Sequence, residues 1–291
     1  EIGSHAFQGY GEFQVGVYDT PFISNLPAED GVKYIGSVAY LFMGGDEMRI
    51  KEGTLGVADD ILTNHLYLYD GSNSWGSSSA FSGWTAPASV TLPSTLRVLG
   101  SNFGSPNITT LTLPESLVKI KGIDCENLKG SITIPASVEY FGGIRSKITR
   151  IYYNAVDANA VDAETKGLLP ATLVRAFIGE GVKIIPDGLF SGCTNLARVQ
   201  MPSTVEHIGY GAFDGCSSLT DIDLPTGLKE IGENAFYGAG LTTISAYMPT
   251  PATLENRFIE SHTQIPLLKV PNGSLEAYQS DTWWSSQFQK I

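Results

Sequence analysis

The sequence predicts an α/β-type solenoid, in which stacked coils of about 21–23 residues place a parallel sheet on the concave face and irregular or short helical arcs on the convex face. Three observations predict it. Residues 179–201, 202–224 and 225–247 align as GEGVKIIPDGLFSGCTNLARVQM, PSTVEHIGYGAFDGCSSLTDIDL and PTGLKEIGENAFYGAGLTTISAY, a period of 23 residues. Weaker copies upstream set Pro93, Pro114 and Pro135 at intervals of 21 residues, each after an apolar alternation such as Leu111-Thr112-Leu113. The 32 glycines and 15 prolines exceed what a helical bundle tolerates and imply many tight turns.

Each part of the repeat has a physical reading. In the frame L-x-x-I-x-L the last two apolar residues lie two apart, so they share one face of a short strand and the residue between them faces the other way. Proline then ends the strand by removing a backbone donor. Apolar residues follow it at +3 and +6 (Leu96/Leu99, Leu117/Ile120, Val138/Phe141), a turn-like or helix-like spacing. In the full repeats a glycine next permits a bend. The Ala-Phe pair, as in Ala212-Phe213, puts a large ring inside the far wall of the coil, stacked on its neighbours. The 21-residue copies lack this arm, so their arcs are expected to be shorter. A single coil cannot bury its apolar face, whereas stacked coils bury a continuous core, with strands ~4.8 Å apart.

Several segments depart from the frame. Glu1-Ile2-Gly3-Ser4-His5-Ala6-Phe7 matches Glu230–Phe236, so the chain opens in the middle of a repeat; either a partial coil serves as a cap or upstream sequence completes it. The region of about 28–53 reads as an inserted hairpin around Val32–Phe42. A loop at about 63–85, rich in Gly, Ser and aromatics (Tyr67, Tyr69, Trp75, Phe81, Trp84), is expected to be the most mobile part. Residues 154–176 read as a long connection. Pro249-Thr250-Pro251 is expected to stop the last coil, giving a solenoid over 1–247 and a C-terminal cap over 248–291. In that cap Ser274 precedes a short helix, and Trp283, Trp284, Phe288 and Ile291 cover the end of the core.

Composition narrows the function. Hydrophobic residues at 42% and charged residues at 16% describe a chain with a substantial core. A net charge of −12 argues against nucleic acid and against an anionic membrane surface, both of which need clustered Lys and Arg. No stretch reaches the ~20 apolar residues of a membrane span. Cys125, Cys193 and Cys216 form no metal-ligand spacing; Cys193 and Cys216 recur one period apart, but their position points inward and fits free, buried thiols. The four histidines (His5, His65, His207, His262) are scattered, and the glycine-rich stretches 31–45 and 71–83 have no phosphate-loop pattern. No cofactor and no metal is therefore expected.

What remains is the outward side of the strands. Its columns pair Thr110/Thr112, Ser131/Thr133, Arg150/Tyr152, Arg198/Gln200, Asp221/Asp223 and Thr243/Ser245. Arg150, Tyr152, Arg198, Gln200, Asp221 and Asp223 are the candidate ligand-binding residues, because Arg and Tyr are enriched at binding hot spots and a flat polar face suits a protein or glycan. Asp221 and Asp223 are also the only footing for acid/base catalysis or a calcium site. A solvated strand face explains them more simply, with Arg198 and Gln200 one coil back as ordinary cross-strand charge partners.

The unit P-S-T-V-E-H-I-G-Y-G-A-F-D-G-C-S-S-L-T-D-I-D-L-P at 202–225 closely resembles the BspA-like leucine-rich repeat of Bacteroidetes and treponemes. Segments 34–40, 51–59 and 270–278 are similar to stretches found with those repeats, and the resemblance is most specific between 178 and 245. It implies an exported or surface-attached protein, extracellular or at the cell surface, with outer-membrane attachment or a periplasmic location as the alternatives, and with adhesion to host matrix proteins or other bacteria as the family precedent. It carries over no catalytic residue. The reading is thus a non-enzymatic surface binding module; the alternatives are a structural or assembly part of a larger envelope protein and, less favoured, a glycan-active enzyme.

Overall fold

The computed structural model describes residues 26–57, 65–69, 75–79, 87–100, 103–156, 168–254, 256–259 and 264–291. The opening motif with His5, most of the 63–85 loop with Phe81, Trp84 and its expected mobility, and His262 lie outside the described residues. The chain forms two compact units, Glu1–Leu128 and Lys129–Ile291, and the strand Ile123–Ile134 runs through the boundary.

In the first unit Ala28–Glu29, Val32–Ile35 and Val38–Phe42 pair antiparallel, with a bulge between Lys33 and Tyr34. Pairing then turns parallel: Val38-Ala39 lie beside Gly56-Val57, and Val98-Leu99 beside Lys119-Ile120. Glu47–Arg49 pairs parallel with Ser89–Thr91, burying Met48. The antiparallel segment therefore ends at Phe42, and residues 43–57 already follow the parallel stack. His65–Tyr69 and Trp75–Ser79 form an antiparallel pair.

The second unit shows the repeat in full. Its coils contribute Ile144–Tyr153, Arg175–Ile178, Arg198–Gln200, Asp221–Leu224, Thr243–Ala246 and Leu267–Lys269, all paired parallel where they are paired. After the strands at Arg198–Gln200 and Asp221–Leu224 a proline carbonyl accepts from the residue three positions on, Pro202 from Val205 (3.3 Å) and Pro225 from Leu228 (3.1 Å), and Gly179 does the same for Val182 (3.2 Å) after Arg175–Ile178. That turn leads into a two-residue strand. Ile184-Ile185, His207-Ile208, Glu230-Ile231 and Thr253-Leu254 make a second, narrow parallel ladder. The arcs of these coils are thus turns and short strands; among the described residues helix is confined to Leu275–Ser280 and Thr282–Ser285. Ladder hydrogen bonds between coils replace the bonds that helical arcs would have made within each coil.

The file of rings forms as the frame requires. Phe190, Phe213 and Phe236 stack at 5.2 Å between successive centroids, nearly parallel, and Phe258 meets the last one edge-on at 6.0 Å. The glycine of the Ile-Gly pair has a different reason from the bend expected of it. Gly209 and Gly232 are not in the left-handed region; a Cβ on Gly232 would stand 2.7 Å from the Tyr210 nitrogen and 2.8 Å from the Gly209 carbonyl carbon. Glycine is needed there because the preceding coil's backbone passes too close for any side chain.

Two boundaries move. Leu173, Ala176 and Ile178 are buried and occupy the L-x-x-I-x-L frame, and Arg175–Ile178 pairs with Arg150–Tyr153, so a regular coil has resumed before residue 176. Downstream, Thr253-Leu254 and Leu267–Lys269 extend both ladders past Pro249 and Pro251. Those prolines sit between strands, where no ladder donor is required.

At the end of the chain Trp284 and Phe288 are buried and stacked at 6.0 Å, and the Trp284 indole N–H donates to the Ala252 carbonyl at 2.8 Å. Trp283 is half exposed, because adjacent helical residues point apart. Ser274 makes no side-chain cap; Asp281 caps the second helix, accepting from the backbone of Trp283 and Trp284.

Candidate functional site

Strand register decides which outward side chains meet. Arg150, Arg175 and Arg198 lie opposite one another in successive strands, as do Tyr152, Phe177 and Gln200. The three arginines are exposed. Among the described residues no carboxylate pairs with any of them. Like charges held directly opposite are unfavourable, and in a chain of net charge −12 this ladder is a local reversal of sign. Beside it the rings of Tyr152 and Phe177 stack at 4.9 Å and 14°.

Arg175 and Phe177 were missed by sequence reasoning, which passed from the coil of Arg150 to that of Arg198. The signal was present: Leu173-x-x-Ala176-x-Ile178 fits the repeat, with Gly179-Glu180-Gly181-Val182 in place of Pro-Ser-Thr-Val.

Asp221 and Asp223 are exposed and outward, in register with Thr243 and Ser245. They do not continue the arginine ladder. The sheet that includes Arg175–Ile178 ends at Arg198–Gln200, and a new sheet begins at Asp221–Leu224. Arg198 N–H donates to the Val174 carbonyl (3.3 Å) and Thr243 N–H to the Thr220 carbonyl (3.2 Å), yet no equivalent bond joins Asp221 to Ala197 among the described residues. On the arc side the same two coils stay joined, through Ile184-Ile185, His207-Ile208 and Glu230-Ile231. The coils part at the strand and hold at the arc.

That opening forms a hollow of about 760 Å³. Arg175, Phe177, Arg198 and Gln200 line one side, Thr220, Asp221 and Asp223 the other, and Ala176, Val199, Met201 and Ile222 its floor. Val199 and Met201 are only half-buried, whereas the residues at their repeat positions, Ala176 and Ile178 on one side and Ile222 and Leu224 on the other, are buried. The expected charge pairing between Arg198 and Asp221 is absent, since the missing ladder separates their strands; Asp221 instead accepts from the Thr220 hydroxyl at 2.8 Å.

The remaining reactive groups are elsewhere. All three cysteines are free and buried. Burial pushes Cys125 up to about 11, Cys193 up to about 12 and Cys216 further still, so none is a nucleophile. His207 Nδ1 lies 2.9 Å from Glu230 Oε2, an arc-side pair between adjacent coils. Among the described residues no three His, Cys, Asp or Glu side chains gather as a metal site. Nor is any described helix long and apolar enough to cross a membrane.

Parallel-strand coils of 23 residues with a file of phenylalanines inside the arc define a leucine-rich-repeat protein. More specifically, the chain belongs to the BspA-type leucine-rich repeat family, whose model matches in six copies over residues 74–154 and 173–290. No curated protein sequence matches it. Among solved structures it is similar to a leucine-rich repeat protein from Bacteroides ovatus at 21% identity, with 84% of this chain and 83% of that one covered and a TM-score of 0.37. A leucine-rich cell surface protein from Faecalibacterium prausnitzii matches at 20% identity, covering 79% of this chain and 56% of that one, with a TM-score of 0.37. The pneumococcal vaccine antigen PcpA matches at 14% identity over 89% and 82% of the two chains, with a TM-score of 0.32.

Proposed function

We propose that this chain is a secreted or cell-surface binding module that recognises a protein or glycan through the outward strand face of its second unit, and that it is not an enzyme. The observation that carries the reading is the hollow where the strand ladder is interrupted. A regular solenoid presents a flat, solvated sheet; here a cavity of about 760 Å³ replaces it, within the ~300–1,000 Å³ of ligand sites, with unpaired charges of both signs on its walls. Family membership supports the surface setting, and the neighbouring F. prausnitzii chain is itself described as a cell surface protein. Against catalysis, Asp221 and Asp223 stand two residues apart on one strand with a threonine hydroxyl as the partner of the first.

The test is binding of the purified chain to an array of host matrix proteins and glycans at low and high salt, repeated with the Arg175→Ala/Arg198→Ala variant. Saturable binding that is weakened by salt and lost in the variant is expected. Binding that survives in the variant contradicts the site, and silence across the array turns the reading toward a structural part of a larger envelope protein.

A further inference from the structure

We infer that the occupant of the hollow is a protein segment with an apolar side chain flanked on one side by an acidic residue and on the other by a basic one. This rests on the proposed binding face and names the chemistry of its partner.

Three features select that chemistry. The floor is apolar and incompletely covered: Val199 and Met201 are only half-buried at positions that the neighbouring coils bury. An apolar side chain entering there completes the core that the parted coils leave open, and apolar burial contributes in proportion to the area covered. The walls are opposite in sign. Arg175 and Arg198 stand on one side and Asp221 and Asp223 on the other, with no ion pair across the hollow among the described residues. A uniformly anionic polymer would satisfy the arginines but meet the two carboxylates, and a uniformly basic one would suffer the reverse. A segment carrying one charge of each sign satisfies both. The third feature is distance. Arg175 and Asp221 are two coils apart, at least about 10 Å because the ladder is open between them. An extended chain covers that in about three residues or more and a helix in about two turns or more, so acid and base stand on either side of the apolar anchor. A glycan is the poorer fit: its hydroxyls would satisfy Asp221, Asp223 and Gln200 but leave Val199 and Met201 without an apolar partner.

The experiment is selection of a displayed random-peptide library on the whole chain, followed by affinity measurements of the enriched peptides on three proteins: wild type, Arg175→Glu/Arg198→Glu and Asp221→Asn/Asp223→Asn. All four positions are exposed, and a circular-dichroism melt matching wild type checks that the variants fold. Peptides with an apolar residue between an acid and a base are expected to be enriched. Their affinity is expected to fall at least about tenfold in both variants, and mutating the peptide's acid is expected to reduce the effect of the arginine variant. Enriched peptides that bind both variants as well as wild type overturn the inference. If no peptide shows variant-dependent binding but a sulfated or uronate-containing glycan does, the partner class is wrong and the binding face stands. If neither does, both readings fall.

Discussion

The arc side and the strand side of the second unit are made from the same coils, yet one is uniform and the other is interrupted. Along the arc, two-residue strands pair without a break from Ile184-Ile185 to Thr253-Leu254, and the phenylalanine file runs beneath them. Along the strands, the ladder stops at Arg198–Gln200 and restarts at Asp221–Leu224. The comparison separates what the repeat must keep from what it is free to change. The arc holds the stack together, so the strand side can open and display charge without dismantling the core.

The arc is most sensitive at the ring file. Phe213 lies between Phe190 and Phe236 at 5.2 Å from each and is fully buried. Replacing Phe213 by Ala is expected to cost roughly 3–5 kcal/mol by denaturant titration, as for other buried aromatics. A loss below about 1 kcal/mol would mean that the arc does not carry the stack.

Close approach on the arc gives the next effect. A Cβ at Gly232 collides with backbone at Tyr210 and Gly209, which cannot rotate away. Gly232→Ala is expected to destabilise by roughly 1–3 kcal/mol, the usual cost of overpacking. If Gly232→Ala instead stabilises the protein, as it would in an open helical turn, the close-packed arc is wrong.

Alkaline pH probes the same core through its thiols. Burial raises Cys125 to about 11 and Cys193 to about 12, against ~8.5 for an unfolded thiol. Between those values the folded state holds more protons than the unfolded state, so stability is complete below about pH 8.5 and declines as pH rises toward 11 to 12. The expected slope is on the order of 1 kcal/mol per pH unit for each thiol. Chemical denaturation midpoints across that range measure it, and iodoacetamide should label the cysteines only on unfolding. Rapid labelling of the native protein would place the thiols at the surface.

The smallest effect sharpens the strand side. Arg175 sits between two like charges and pairs with no carboxylate among the described residues. Arg175→Ala is expected to change stability by no more than about 0.5 kcal/mol, and in the stabilising direction at low salt. A loss well above that would reveal a structural role for the ladder.

Periodic features were legible in the sequence because they repeat. The 23-residue period places Phe213 and Cys216 inward by repetition, and strand alternation places Asp221 and Asp223 outward. The arc was less legible: an apolar residue at +3 and +6 suits a helical turn and a turn-plus-strand equally, and only the hydrogen bonds to the next coil choose between them. The site was half legible. Arg150, Tyr152, Arg198, Gln200, Asp221 and Asp223 could be placed on a face, but the interruption beside them could not. Val199 and Met201 are as apolar as Ile222 and Leu224, and nothing in their identity announces that they are left only half-buried. That property belongs to the spacing of two coils, which no single repeat encodes.

Backbone hydrogen exchange at Arg198, Asp221 and Thr243 tests the interruption most directly, because the three amides occupy the same place in successive coils. Arg198 and Thr243 donate to the preceding coil at 3.3 and 3.2 Å, whereas Asp221 does not. Fast exchange at Asp221 with slow exchange at the other two is the expected result. Equal protection at all three would close the ladder, and with it the hollow on which the binding face depends.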